Sequence, residues 1–131
     1  MKNLIFLSMA TILIASPSVH AFEVKTSTGK VKNAQQFKEE TAKHYDKMYF
    51  LSEIKIKQQK TNRDKAKVAC IEIPNAIADA IKFNNVNKQF FDEATRKKID
   101  ERNNKLMANN QTMYINLKCD DAIQHYKFKR N

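Results

Sequence analysis

Along most of this chain apolar residues recur at steps of three and four, the spacing of one helix face. Phe37, Thr41, Tyr45, Met48 and Leu51 form the first such stripe, opened by Asn33 with Gln36 three residues later, the arrangement of a capping box. Ile54-Lys55-Ile56-Lys57 alternates instead, so this helix is expected to fray over 58–60. Tyr49 and Phe50 fall opposite the stripe, where they are available to a partner. Thr61-Asn62-Arg63-Asp64 reads as a polar break and cap. The second stripe carries Ala66, Cys70, Ile73, Ile77 and Ile81, with Pro74 inside it. Proline lacks the backbone donor and clashes with the preceding turn, which predicts a kink or split near Ile73. Asn84-Asn85 closes this helix.

A third helix is expected from Asn87, with Phe91, Thr95, Ile99 and Leu106 inward and Phe90 and Ala94 behind them. Asn103-Asn104 weakens its last turns and Asn109-Asn110 ends it. Over 112–119 two readings compete. Met113, Ile115, Leu117 and Cys119 alternate as a strand does, while Ile115, Cys119, Ala122 and Tyr126 keep helical spacing. The helical reading places both cysteines on inward stripes, so levels of description agree. At the other end Phe22, Val24 and Thr26 alternate before Ser27-Thr28-Gly29, giving a short strand, hairpin arm or docked tail. The expected fold is all-α: a compact bundle of about four helices, one kinked at Pro74, with a short irregular or β-like N-terminal arm and one disulfide. An α+β fold with a small strand pair is the alternative.

Residues 1–21 have the layout of a secretory signal peptide. Lys2 is the positive start, residues 4–15 (LIFLSMATILIA) carry no charge, and Val19-His20-Ala21 is a small-x-small cleavage signal. That apolar run would span only about 18 Å, short of the roughly 30 Å of a bilayer core. Residues 22–131 then form a single helical domain, exported to the periplasm or the medium. In such a compartment two cysteines imply one bridge, Cys70–Cys119. The competing reading, a catalytic thiolate with His125 as base, needs a free sulfur.

Composition narrows the chemistry further. One glycine in the whole chain leaves no glycine-rich phosphate loop. Glu40 and His44 lie one turn apart, as a base and its orienting carboxylate would, but no nucleophile accompanies them and a surface pair is the simpler expectation. His44, His125, Asp120 and Asp121 do not have zinc-ligand spacing. Asp120-Asp121 is better placed to complement a helix start. Asn110-Gln111-Thr112 is an N-glycosylation sequon. No catalytic residue, cofactor or metal site is therefore expected, and the chain is not expected to be an enzyme.

Charge is the stronger signal. The chain carries a formal +10, or +9 once Lys2 leaves with the leader. Lys55, Lys57, Lys60, Arg63, Lys65 and Lys67 are opposed locally only by Asp64; Arg96-Lys97-Lys98 forms a second cluster. Tyr126, Lys127, Phe128, Lys129 and Arg130 interleave rings with cations, an arrangement that suits phosphate contact and stacking. Lysine far outnumbers arginine, which argues for diffuse attraction over bidentate phosphate recognition and against dedicated nucleic-acid binding. The first and last clusters are the expected contact surface. The leading function is a small non-catalytic exported protein that binds an acidic protein as an inhibitor, immunity or accessory factor. The alternative is a binder of anionic surfaces (lipid headgroups, envelope polysaccharide or nucleic acid) through the same lysines. A periplasmic chaperone is a weaker third, since two mature histidines offer little acid-switch chemistry.

Overall fold

The computed structural model of the protein describes residues 23–130. The expected leader, its cleavage site after Ala21, and Phe22 of the arm lie outside them. Four helices make up the described fold, which contains no strand. Helix α1 begins as Ala34–Tyr49, widens into a π segment, Phe50–Lys55, and ends in the turn Ile56–Gln58. Helix α2 has the same three-part build: Asn62–Lys67, a π segment Val68–Glu72, then Ile73–Asn87. A 3₁₀ turn, Lys88–Phe90, leads to α3 (Glu93–Asn116) and α4 (Cys119–Tyr126).

Local chemistry fixes most of the boundaries. Asn33 Oδ1 accepts from the Gln36 amide at 2.9 Å, while Gln36 Oε1 reaches back to the Lys32 amide at 2.8 Å. Two orphan donors of the first turn are thus satisfied. Thr61 caps α2 through the Asp64 amide, and Asp92 caps α3 through that of Thr95. The α3 cap is therefore Asp92, not Asn87. The reading of Asn103-Asn104 and Asn109-Asn110 as stops is likewise corrected, because α3 runs unbroken to Asn116. The stretch 112–116 is helical and only its last residues turn, so the strand reading falls with the alternative fold.

The two π segments explain why the burial pattern departs from a simple stripe. A π turn holds one residue more than an α turn, so neighbours in sequence can both face inward. In the first, Ile56 N–H bonds Leu51 O, and adjacent Phe50 and Leu51 are both buried. Phe50 is thus core, not a residue open to a partner, whereas Tyr49 is half exposed. In the second, Ile73 N–H bonds Val68 O, and Val68, Ala69 and Cys70 are all buried. This step also accommodates Pro74, which enters the next α segment in its first turn, where a missing N–H costs least. The two π segments pack against each other, and Phe50, Leu51, Val68, Ile73 and Ala76 form one core cluster with Met48, Ile54, Ile56, Ile77 and Met113 around it.

From Ile73 onward the buried positions of α2 are Ile73, Ala76, Ala80, Phe83, Asn84 and Asn87. Phe83 is completely buried, with its ring stacked on Phe37 at 5.4 Å and on His44 at 5.1 Å. The α2–α3 contact contains a polar seam. Asn84 Nδ2 donates to Asn103 Oδ1, and Asn103 Nδ2 donates to Asn85 Oδ1, both at 2.9 Å. Paired in this way, buried amides fix the register of two helices with none of the cost of an orphaned group.

Both ends of α4 are set by left-handed residues, Lys118 (φ 50°) and Lys127 (φ 55°). After α4, Lys127 N–H bonds Gln124 O and Phe128 N–H bonds Ile123 O, the paired bonds of a Schellman motif. A lysine in that region carries a steric cost that glycine does not. Lys118→Gly should therefore stabilise the fold by about 0.5–1 kcal/mol, net of glycine's greater unfolded freedom. Urea unfolding of the two proteins side by side checks this, with a lower midpoint in the variant as the contrary result.

Candidate functional site

The cationic end of the molecule is built around the bridge. Cys70 and Cys119 are joined, with Cα atoms 5.3 Å apart and 49 residues between them in sequence, and neither is exposed. No cysteine is free, which removes the thiolate reading. Such bridges persist in oxidising compartments. With Ala69 and Ile123 the two cysteines form a second buried cluster, covered by Ile56, Ile71, Tyr114, Ala122 and Phe128. The cluster holds α4 across α2, and its cover residue Phe128 carries the tail to the first turn of α2. There the Arg63 guanidinium stands 5.3 Å over the Phe128 ring, within cation–π range. Tyr126 packs on Phe128 with ring centres 5.5 Å apart, and His125 meets Tyr126 edge-on at 4.6 Å.

The bundle thus brings the first and last predicted clusters together at Arg63 and Phe128, but it does not leave every cation available. Lys55 pairs with Glu72 at 2.7 Å and Lys57 with Glu53 at 2.9 Å. Arg130 pairs with Asp120, which also accepts the Tyr114 hydroxyl at 3.0 Å. Burial, then that bond to Asp120, pushes the Tyr114 phenol above its ordinary value. Lys60, Lys65, Lys67, Lys127 and Lys129 are exposed and enter no ion pair among the described residues. Asp120 and Asp121 occupy the first turn of α4, where their charge complements the helix dipole. In the second cluster Arg96 Nε bonds the Phe91 carbonyl at 2.7 Å. Asn110 of the sequon lies within α3, half buried.

A second polar assembly was not legible as a site. Residues 23–32 form an extended, irregular arm. His44 is buried, not the surface partner of Glu40, and donates from Nε2 to the Ser27 carbonyl at 2.8 Å. Glu40 accepts the Ser27 amide at 3.3 Å and is also bonded by Lys43. Asn87 Oδ1 accepts the Val31 amide at 2.8 Å, and its Nδ2 donates to the Gly29 carbonyl at 3.1 Å and the Phe83 carbonyl at 2.8 Å. The available signal was positional. Asn87 continues the three-four rhythm of Ile73, Ala76, Ala80 and Phe83, so an amide stands where the core pattern calls for an apolar side chain.

The bond from Lys43, with help from the Ser27 amide, holds the Glu40 carboxyl below its ordinary value against the opposing effect of burial. A carboxylate whose folded pKa is depressed stabilises the fold above its unfolded pKa, and this contribution is lost as pH falls through the folded value. Stability should thus drop between about pH 5 and about pH 3 more in the wild type than in Glu40→Gln, as read from urea midpoints across that range. Parallel pH curves for the two proteins would remove Glu40 from the account.

Among the described residues no group of His, Cys, Asp or Glu could hold a metal ion, and no helix is long and apolar enough to cross a membrane. A scan against protein-family models gave no match, and neither did searches of curated proteins and of solved structures. The class that the fold defines is a disulfide-stapled, strongly basic four-helix bundle.

Proposed function

We propose that this is a non-catalytic exported protein that binds an acidic protein partner, as an inhibitor, immunity or accessory factor, through its cationic and aromatic end. The observation that carries this reading is the placement of Phe128 under Arg63, with five unpaired lysines on the same two segments. Rings held in place by the bridge supply rigid contact area, while mobile lysines around them supply attraction from a distance. Ion-paired Lys55, Lys57 and Arg130 contribute less, since each already has a carboxylate. The leader layout and the bridge both support export.

The experiment compares wild-type protein with the triple variant Lys67→Glu, Lys127→Glu, Lys129→Glu as bait for acidic proteins of the envelope and medium. The captured partner should associate with the variant about tenfold or more slowly at low ionic strength, with helical content unchanged. Equal association rates would remove the surface from the proposal. Binding to heparin and to phosphatidylglycerol vesicles as tight as to any protein would instead favour an anionic-surface binder.

A further inference from the structure

The arm is held in an unusual way for a chain terminus. Ser27, Gly29 and Val31 are alternate residues of an extended segment, and each is gripped by its backbone. Glu40 takes the Ser27 N–H, His44 the Ser27 carbonyl, and Asn87 both the Gly29 carbonyl and the Val31 N–H. Only Val31 among the arm residues is buried. Side chains of two helices therefore read an extended backbone at a two-residue period and accept one branched side chain, the logic by which proteins recognise extended peptides.

The arm also underfills its channel. Beside it lies an open recess of about 280 Å³ lined by Ser27, Lys30, Val31, Gln36, Glu39 and Glu40. Two buried polar atoms of α1, Thr41 Oγ1 and His44 Nδ1, have no partner, although buried polar groups are nearly always satisfied. His44 is 3% exposed, so its free nitrogen is one that a fuller occupant can reach and bulk water cannot. The acidic pair Glu39 and Glu40 faces a basic occupant, since Lys25, Lys30 and Lys32 punctuate the arm.

We propose that the channel along α1 and the end of α2 is a binding site for an extended, basic segment of a partner protein, and that residues 27–31 are its resident occupant in cis. The partner's segment carries the arm's register: a small residue, then glycine two places on, then a β-branched residue two further, with lysine before it. This site is separate from the cationic end and does not depend on that surface.

The full chain with Val31→Asp tests this, because a charge at the one buried arm position releases the arm and leaves the helices intact. The probe is a fluorescently labelled peptide of residues 23–32, followed by anisotropy. The variant should bind it at least about tenfold more tightly than wild type does, because wild type keeps its channel occupied. A peptide with Lys30→Glu should bind the variant several-fold more weakly, and one with Val31→Asp should not bind. Ser27→Pro in the full chain, which removes the amide that Glu40 accepts, is the second release variant and covers the case in which Val31→Asp does not fold. Native helicity with no gain in peptide binding in either variant overturns the proposal, as does equal binding of the Lys30→Glu peptide.

Discussion

Replacing Cys70 and Cys119 together by alanine should lower the unfolding free energy by about 4 kcal/mol, seen as a fall of at least about 1 M in urea midpoint. The bridge closes a loop across 49 residues of sequence, and the chain entropy removed from the unfolded state sets this magnitude. Such a loss is a large part of the roughly 5–15 kcal/mol by which domains of this kind are stable. The native state suffers in a specific place as well. Helix α4 has eight residues, too few to persist alone in water, and it is held by the bridge and by Ile123 in the cluster that Phe128 covers. Hydrogen exchange in the reduced protein should therefore rise first in α4 and the tail, before α1 and the Ile73–Asn87 part of α2. Uniform exchange across the chain, or an unchanged urea midpoint, would show the bridge to be an accessory.

The second large effect is expected from Phe83→Ala, at about 3–5 kcal/mol. Phe83 is fully enclosed and touches both helices that frame the arm: Phe37 stacks on it from α1, His44 lies against it, and Asn87 bonds its carbonyl. Deleting the ring leaves a cavity that several neighbours cannot close at once, because Phe37 is also packed against Phe91 at 4.7 Å. Phe83→Leu, which keeps most of the volume, should cost markedly less. Calorimetry of both variants decides it; equal costs would mean that the aromatic contacts add nothing beyond bulk. Since Phe83 supports His44 and Asn87, the alanine variant should also lose arm protection in hydrogen exchange before it unfolds globally.

Helix number, the caps at Asn33 and Thr61, and the cysteine pairing were legible because each depends on a short-range rule with a distinctive residue. The errors had a common source. Asparagine was treated as a helix stop, yet Asn87 and Asn103 are buried and Asn110 half buried at inward positions, where amide partners from other segments satisfy the first two. Tertiary partners offset the local preference of asparagine for turns, and a sequence shows the preference but not the partner. Phe50 was misplaced because a π turn shifts the rotational phase of a helix, and no residue type announces one. Tyr45 sits on the predicted stripe but is exposed, with the Arg102 guanidinium 5.9 Å over its ring. Within the candidate site the cations were legible as clusters. Which of them are neutralised depended on carboxylates such as Glu72 and Asp120, whose positions only the bundle fixes.

The widened turns at Phe50–Lys55 and Val68–Glu72 also bear on how this fold tolerates changes in length. Each amounts to an ordinary helix with one surplus residue, so deleting a residue there would regularise the backbone while rotating everything downstream by about 100°. Such a deletion in one turn would face an unaltered partner, and the apolar side chains of the two segments would no longer meet. Lineages of this protein should therefore gain or lose residues in the arm or at the 59–61 connection, and keep these two segments at constant length.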